Sequence, residues 1–202
     1  NNNSNIHITK NLHSYTFLID KLLEKNIKKI TIAGTCYEYG IKEGEIDEET
    51  RTDPINSYGI AKDALRKYLA YRCINSDINW CWLRIFYPYG EGQKESSLIP
   101  QIDKAIDNKE KTFRMSSGKQ IRDYINVNDL AEQILAVVSS QESKGVYNCG
   151  SGNPVSLYNI VKDRIQLKHS NLMIETSYYQ DRKDEPNAFW AKTDRIKALM
   201  NG

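Results

Sequence analysis

The sequence predicts an α/β fold on a mostly parallel sheet, and two observations predict it. Apolar runs of strand length alternate with segments of helical spacing along the chain. Three of the strand-like runs leave into "GTCYEYG" (34–40), "FYPYGEG" (86–92) and "NCGSG" (148–152), which carry Gly, hydroxyl and polar groups. In an open α/β sheet, ligands bind at the carboxyl ends of the strands. The three exits therefore predict a site on one edge.

The elements follow in order. Leu12, Tyr15, Leu18, Ile19, Leu22 and Leu23 share one face of a helix over 11–26, with Asn26 at its end. "IKKITIAG" (27–34) reads as a short buried strand. "SYGIAKDALRKYLAYRC" (57–73) places Ala61, Ala64, Leu65, Tyr68 and Leu69 together, a second helix. "INWCWLRIFYPYG" (78–90) is an apolar strand closed by Pro88 and Gly90. The segment 96–109 reads as a helix interrupted near Pro100. Residues 122–140 pass from a short strand into a helix capped by Asn126 or Asn128. A strand over 145–149 ends in a Gly turn, and a helix (156–165) and a strand (172–176) follow.

Composition narrows the function. Of 202 residues 27% are charged and 40% hydrophobic, which fits a globular protein. The net charge of +2, with Lys and Arg dispersed, gives no reason to expect nucleic acid as a partner. No apolar stretch approaches the roughly 20 residues of a membrane helix, so no membrane partner is expected. Cys36, Cys73, Cys81 and Cys149 lack metal-ligand or CxxC spacing, which predicts free thiols, no metal and a cytoplasmic setting. The first residue is Asn, not Met; a removed Met, a cleaved tag or a truncated chain would each give this.

Tyr58 and Lys62 lie four apart on a helix and share a face. An ammonium beside a phenol favours the phenolate, and a phenol so tuned can exchange a proton with a carbonyl oxygen. Thr35, at the end of a neighbouring strand, can supply a hydroxyl to the same oxygen. The pairs Tyr158/Lys162 and Tyr179/Lys183 have the same spacing, and surface decoration accounts for most such pairs. Tyr58/Lys62 differs in following a strand-exit hydroxyl across a long polar loop (41–56), with Pro54 and Ser57 opening its helix.

Taken together, "AGTCYEYG", "DPINSYGIAK", "LRIFYPYGEG", "RDYINVNDLA" and "YNCGSG" resemble, in order and spacing, the extended short-chain dehydrogenase/reductases. These are the NAD-dependent epimerase/dehydratase group acting on nucleotide sugars. The resemblance implies a Rossmann-type cofactor part (1–90 and 120–150) and a smaller carboxyl-terminal substrate lobe (91–119 and 151–202). It implies Thr35, Tyr58 and Lys62 as catalytic and cofactor-binding residues, and Phe86 beside the nicotinamide of NAD or NADP. Arg122 and Arg182 would grip the diphosphate of the nucleotide sugar, as paired guanidiniums suit. A salt bridge from Arg122 to Asp123 or Asp129 is the structural alternative. Members of the family usually form homodimers through the helices matching 11–26 and 57–75, here with Leu18, Leu22, Leu65 and Tyr68 as contributors, unless these only fill the core.

Two departures stand out. Tyr87 occupies a position where many members have a sugar-contacting Asn. No G-x-x-G-x-x-G phosphate loop occurs, so the chain is expected to be a fragment lacking the first half of the cofactor-binding unit. Cys36 and Tyr37 stand where dehydratases of the group carry acidic residues. Cys36 reads as packing, with a redox or substrate contact as the alternative, and Glu38 as structural. The reaction this implies is reduction of an NDP-4-keto-6-deoxyhexose for surface polysaccharide. The alternatives are 4-epimerisation, or an inactive fragment that only binds a nucleotide sugar.

Overall fold

The computed structural model describes residues 5–25, 27–182 and 185–201. The expected helix end at Asn26 and the Lys183 of one Tyr/Lys pair lie outside them. A π-helical stretch (His7–Leu12) leads into α1 (His13–Leu23), then β1 (Lys29–Ala33) and a 3-10 turn (Cys36–Tyr39). β2 (Gly44–Ile46), α2 (Ser57–Cys73), β3 (Asn79–Ile85) and β4 (Tyr87–Tyr89) follow. The chain continues through α3 (Leu98–Asp107), β5 (Thr112–Arg114), β6 (Ile121–Asn126), α4 (Val127–Ser139) and β7 (Gly145–Cys149). It closes with β8 (Pro154–Ser156), α5 (Leu157–Leu167), β9 (Met173–Glu175), β10 (Ala188–Ala191) and α6 (Asp194–Met200).

β1, β3 and β7 form a parallel sheet in that order. One face packs on α1 and α2 through Ile19, Ile30, Leu65, Leu69 and Trp82. The other packs on α4 and α6 through Leu83, Leu130, Val137 and Ile196. A parallel sheet covered on both faces explains why its strands read as continuous apolar runs. Leu65 is 2% exposed, so it belongs to this chain's own core.

A second sheet runs β2-β10-β6-β4, all parallel, with β8 antiparallel to β6. The strand expected over 78–90 divides at Phe86 and serves both sheets. The Phe86 N–H still bonds Cys149 O of the first sheet (2.8 Å), while Tyr87 is already paired with Tyr124 of the second. β5 and β9 pair beyond it, over a separate core of Ile102, Phe113, Val161 and Leu172 held between α3 and α5.

Helix boundaries follow their caps. Asn56 Oδ1 accepts from Gly59 N (2.8 Å) and caps α2, which begins at Ser57 as expected. Asn126 Oδ1 accepts from Asn128 N (2.9 Å), which resolves the choice of cap for α4. Pro100 does not interrupt α3: it lies in the first turn, where a missing N–H costs nothing. At the far end of α4, Lys29 Nζ donates to Val137 O (2.5 Å) and Ser140 O (2.7 Å), closing carbonyls the helix leaves open.

Candidate active site

β1 leaves the sheet at Gly34, where an added Cβ would stand 2.0 Å from Trp82 Nε1; only glycine lets the chain pass so close. Thr35 is extended and caps the 3-10 turn: its Oγ1 accepts from Tyr37 N (3.3 Å), and its own N–H donates to Glu38 Oε1 (2.9 Å). That turn holds Thr35 at the strand exit. Its own anchor is Glu38, which is fully buried. Oε1 also accepts from Trp82 Nε1 (2.8 Å), and Oε2 accepts from Arg84 Nε (3.0 Å). Burial pushes the Glu38 carboxyl up, against the pull of Arg84.

α2 brings Tyr58 and Lys62 to the same place. Thr35, Tyr58, Lys62, Phe86 and Tyr87 all line one cleft of about 610 Å³. Thr35 lies beside Tyr58 and acts to lower the pKa of its phenol. Burial nevertheless raises the phenol above its ordinary value, helped by Cys36 and Glu38, and Thr35 only partly offsets this. The net shift is upward, not the lowering expected from Lys62. Its Nζ donates to Ala33 O (2.8 Å) and lies 5.9 Å from the Tyr58 ring centroid, and burial lowers its own pKa. Tyr58 is thus held as a neutral phenol, the form that gives up a proton.

Phe86 forms part of the cleft wall but is itself fully buried, stacked on Phe189 at 5.2 Å between ring centroids. Cys36, 3% exposed, packs in the same junction, and burial pushes its thiol far up, which matches its reading as packing.

A second cavity of about 550 Å³ shares Tyr37, Tyr87 and Tyr124 with the first and contains Arg122 and Arg182. Both expected substrate-binding arginines therefore meet, and Tyr87 spans both spaces. The partner of Arg122 is neither Asp123 nor Asp129. Its NH2 donates to Glu185 Oε2 (3.0 Å), and Arg182 NH1 donates to Glu185 Oε1 (2.8 Å). Successive strand residues point to opposite faces, so Asp123 turns away, accepting from Ser151 N (2.7 Å), Gly152 N (3.0 Å) and Ala191 N (3.1 Å). Among the described residues no group of His, Cys, Asp and Glu can hold a metal, and no helix is long and apolar enough to cross a membrane.

Sequence reasoning missed three members. Tyr37 touches the rings of Tyr58 (6.4 Å) and Tyr87 (6.1 Å), and burial pushes its phenol up to about 12. His7 packs edge-on against Tyr58 at 5.0 Å. Glu185 bridges the arginines. Tyr37 was signalled only by its place two residues after Thr35; His7 and Glu185 arrive through tertiary contacts.

Two outcomes are expected. Glu38→Gln removes the charge opposite buried Arg84 and costs about 3 kcal/mol, read as a lower denaturant midpoint; an unchanged midpoint refutes the anchoring role. Tyr58 ionises above the ordinary tyrosine value of 10.0. In a difference titration of wild type against Tyr58→Phe, less than half of the Tyr58 phenolate absorbance is therefore present at that pH, and half or more refutes the shift.

A profile of the NAD dependent epimerase/dehydratase family matches residues 1–150. The chain is 35% identical over 187 residues to dTDP-6-deoxy-L-talose 4-dehydrogenase (NAD(+)) of Aggregatibacter actinomycetemcomitans, covering 91% of this chain and 68% of that protein. It is 27% identical over 159 residues to dTDP-4-dehydro-6-deoxyglucose reductase of Escherichia coli, covering 76% of this chain and 50% of the relative. In structure it is similar to UDP-glucuronic acid 4-epimerase from Bacillus cereus in complex with UDP-glucuronic acid and NAD, with a TM-score of 0.83 at 22% identity, covering 96% of this chain and 62% of the other. The chain thus spans between half and about two thirds of the length of these proteins. With the Rossmann-type parallel sheet and the ordered strand-exit motifs, these matches show that the chain belongs to the NAD-dependent epimerase/dehydratase family.

Proposed function

We propose that this chain is the catalytic and substrate-binding part of an NAD(P)-dependent reductase of an NDP-4-keto-6-deoxyhexose. The observation that carries the proposal is the wall that two spaces share. Tyr37, Tyr87 and Tyr124 line both the cleft with Thr35, Tyr58 and Lys62 and the cavity with Arg122 and Arg182. A sugar in the first and its diphosphate in the second would suit that layout. The names of the two relatives above, a 4-dehydrogenase and a reductase of dTDP-linked 6-deoxysugars, support the substrate class. A 4-epimerase remains the second reading, supported by the fold shared with the Bacillus cereus enzyme.

The residues present fit the nicotinamide end of the cofactor. Ala33, Ile85 and Phe86 give the cleft an apolar wall, and Tyr58 and Lys62 give it polar groups. When bound, the cofactor supplies a hydride for the sugar C4 carbonyl carbon. Tyr58 Oη gives its proton to the carbonyl oxygen, and its raised pKa keeps that proton in place at neutral pH. Thr35 Oγ1 donates to the developing alkoxide. Lys62, fixed to Ala33 O, places a positive charge beside Tyr58 as the phenol loses its proton. Arg122 and Arg182 orient the substrate from its diphosphate.

The division into a cofactor part (1–90 and 120–150) and a substrate lobe (91–119 and 151–202) belongs to the same proposal. The separate core between α3 and α5 supports it, although α6 returns to the first core. Homodimerisation through α1 and α2 is supported by exposed Phe17 (60%), Leu18 (49%) and Tyr71 (71%). A cytoplasmic setting is supported by four cysteines that are free and buried.

The test is nicotinamide oxidation with nucleotide 4-keto-6-deoxysugars, run on this chain alone and on this chain joined to the Gly-rich amino-terminal segment of a relative. Turnover is expected in the joined protein, falling at least about a hundredfold in Tyr58→Phe. A Tyr58→Phe protein that keeps most of its turnover refutes the mechanism. The dimer is checked by light scattering, where Phe17→Asp with Tyr71→Asp is expected to give monomers; a wild type that is monomeric at every concentration removes that part of the proposal.

A further inference from the structure

Arg122 is 2% exposed and its guanidinium cannot shed its charge, so a counter-ion must always stand beside it. One of its nitrogens donates to Ile121 O (2.9 Å) and another to Glu185 Oε2 (3.0 Å). The second oxygen of the same carboxylate accepts from Arg182 NH1 (2.8 Å). Glu185 is half-buried between one buried arginine and one that is 77% exposed, and all three line the cavity of about 550 Å³. Burial acts to raise the Glu185 carboxyl, but hydrogen bonds from Arg182 and Arg122 outweigh it and hold the group below its ordinary value, so it stays charged at neutral pH. The protein's own carboxylate thus bridges the two guanidiniums, with one oxygen to each.

We propose that Glu185 determines the anion selectivity of this cavity by standing where a diphosphate would bind, so that only a ligand with an acceptor for each arginine displaces it. The inference rests on the reading that Arg122 and Arg182 hold the substrate's diphosphate. A single phosphate replaces one of the two bonds and leaves Glu185 against a like charge. A diphosphate replaces both, and the displaced carboxylate can turn to solvent on the exposed side of Arg182. Glu185 therefore weakens all anions but weakens single phosphates most. It is a specificity residue and takes no part in the chemical step.

The roles open to Glu185 predict opposite signs. If it only positions the arginines, removing its charge weakens every anion. If it competes with the ligand, removing its charge tightens them. Calorimetric titration of this chain with inorganic phosphate and with pyrophosphate separates the two without reference to the nucleotide base. Wild type is expected to prefer pyrophosphate. Glu185→Gln is expected to bind phosphate about tenfold more tightly, a typical size for loss of one charge coupling, with a smaller gain for pyrophosphate and a reduced preference between them. Unchanged or weaker binding of both anions by Glu185→Gln, with wild-type binding intact, overturns the inference and leaves the diphosphate reading standing. Wild-type indifference to pyrophosphate, matched by Arg122→Met, overturns both. Should Glu185→Gln not fold with Arg122 left bare, Glu185→Asp decides. Its shorter arm cannot span both arginines, so intermediate selectivity is expected, and wild-type selectivity refutes the proposal.

Discussion

The architecture depends on one buried carboxylate. Glu38 accepts from the Thr35 backbone, the Trp82 indole and the Arg84 guanidinium, and it is shielded from solvent. The first donor belongs to the exit of β1, the other two to β3. The network continues: Arg84 NH1 donates to Glu48 O (3.2 Å), Glu48 Oε1 accepts from Asn148 N (2.9 Å), and Asn148 Oδ1 accepts from Tyr39 OH (2.7 Å). Asn148 Nδ2 completes it by donating to Ile46 O (2.9 Å). Strands β1, β3 and β7 and the edge of β2 are thereby tied at one level, the level of the Thr35 hydroxyl. A buried network of this kind is costly unless nearly every member is satisfied, and that requirement fixes the loop conformation around Thr35.

A second carboxylate plays the same part beside Arg122. Asp123 gathers the N–H groups of Ser151, Gly152 and Ala191, joining β6, the turn after β7, and β10. Its neighbour Arg122 faces the cavity from the opposite side of β6. The dipeptide thus divides its work by strand alternation: one charge locks the sheet and the other lines the cavity. The fixed position of Arg122 explains why its counter-ion must come from a different segment, and why that counter-ion is Glu185.

Phe86 is the joint between these halves. The strand that carries it pairs with β7 up to Ile85 and with β6 from Tyr87. The ring packs against Phe189 and Tyr39, so the junction is an aromatic core and the cleft lies over it. Tyr37, Tyr87 and Tyr124 continue the aromatic wall from Tyr58 towards Arg122. Such a wall offers both apolar ring faces and polar hydroxyls.

The local signals in the sequence determined the alternation of elements, the gathering of strand exits on one edge, and the Thr35, Tyr58 and Lys62 group. These depend on periodicity and short spacings, which a chain displays in order. Short strands stayed hidden: β2, β5, β8 and β10 are three or four residues long and carry no alternation of their own. The strand break at Phe86 and the helical first-turn position of Pro100 also escaped, because both depend on neighbours distant in sequence. Only the tertiary structure decided the electrostatics. Lys62 and Tyr58 share a helix face as spacing requires, yet the nearby Ala33 carbonyl takes the ammonium and burial governs the phenol. Glu185 lies 63 residues from Arg122, and no spacing rule reaches that far: a charge's partner is set by what folding brings beside it in a medium of low dielectric.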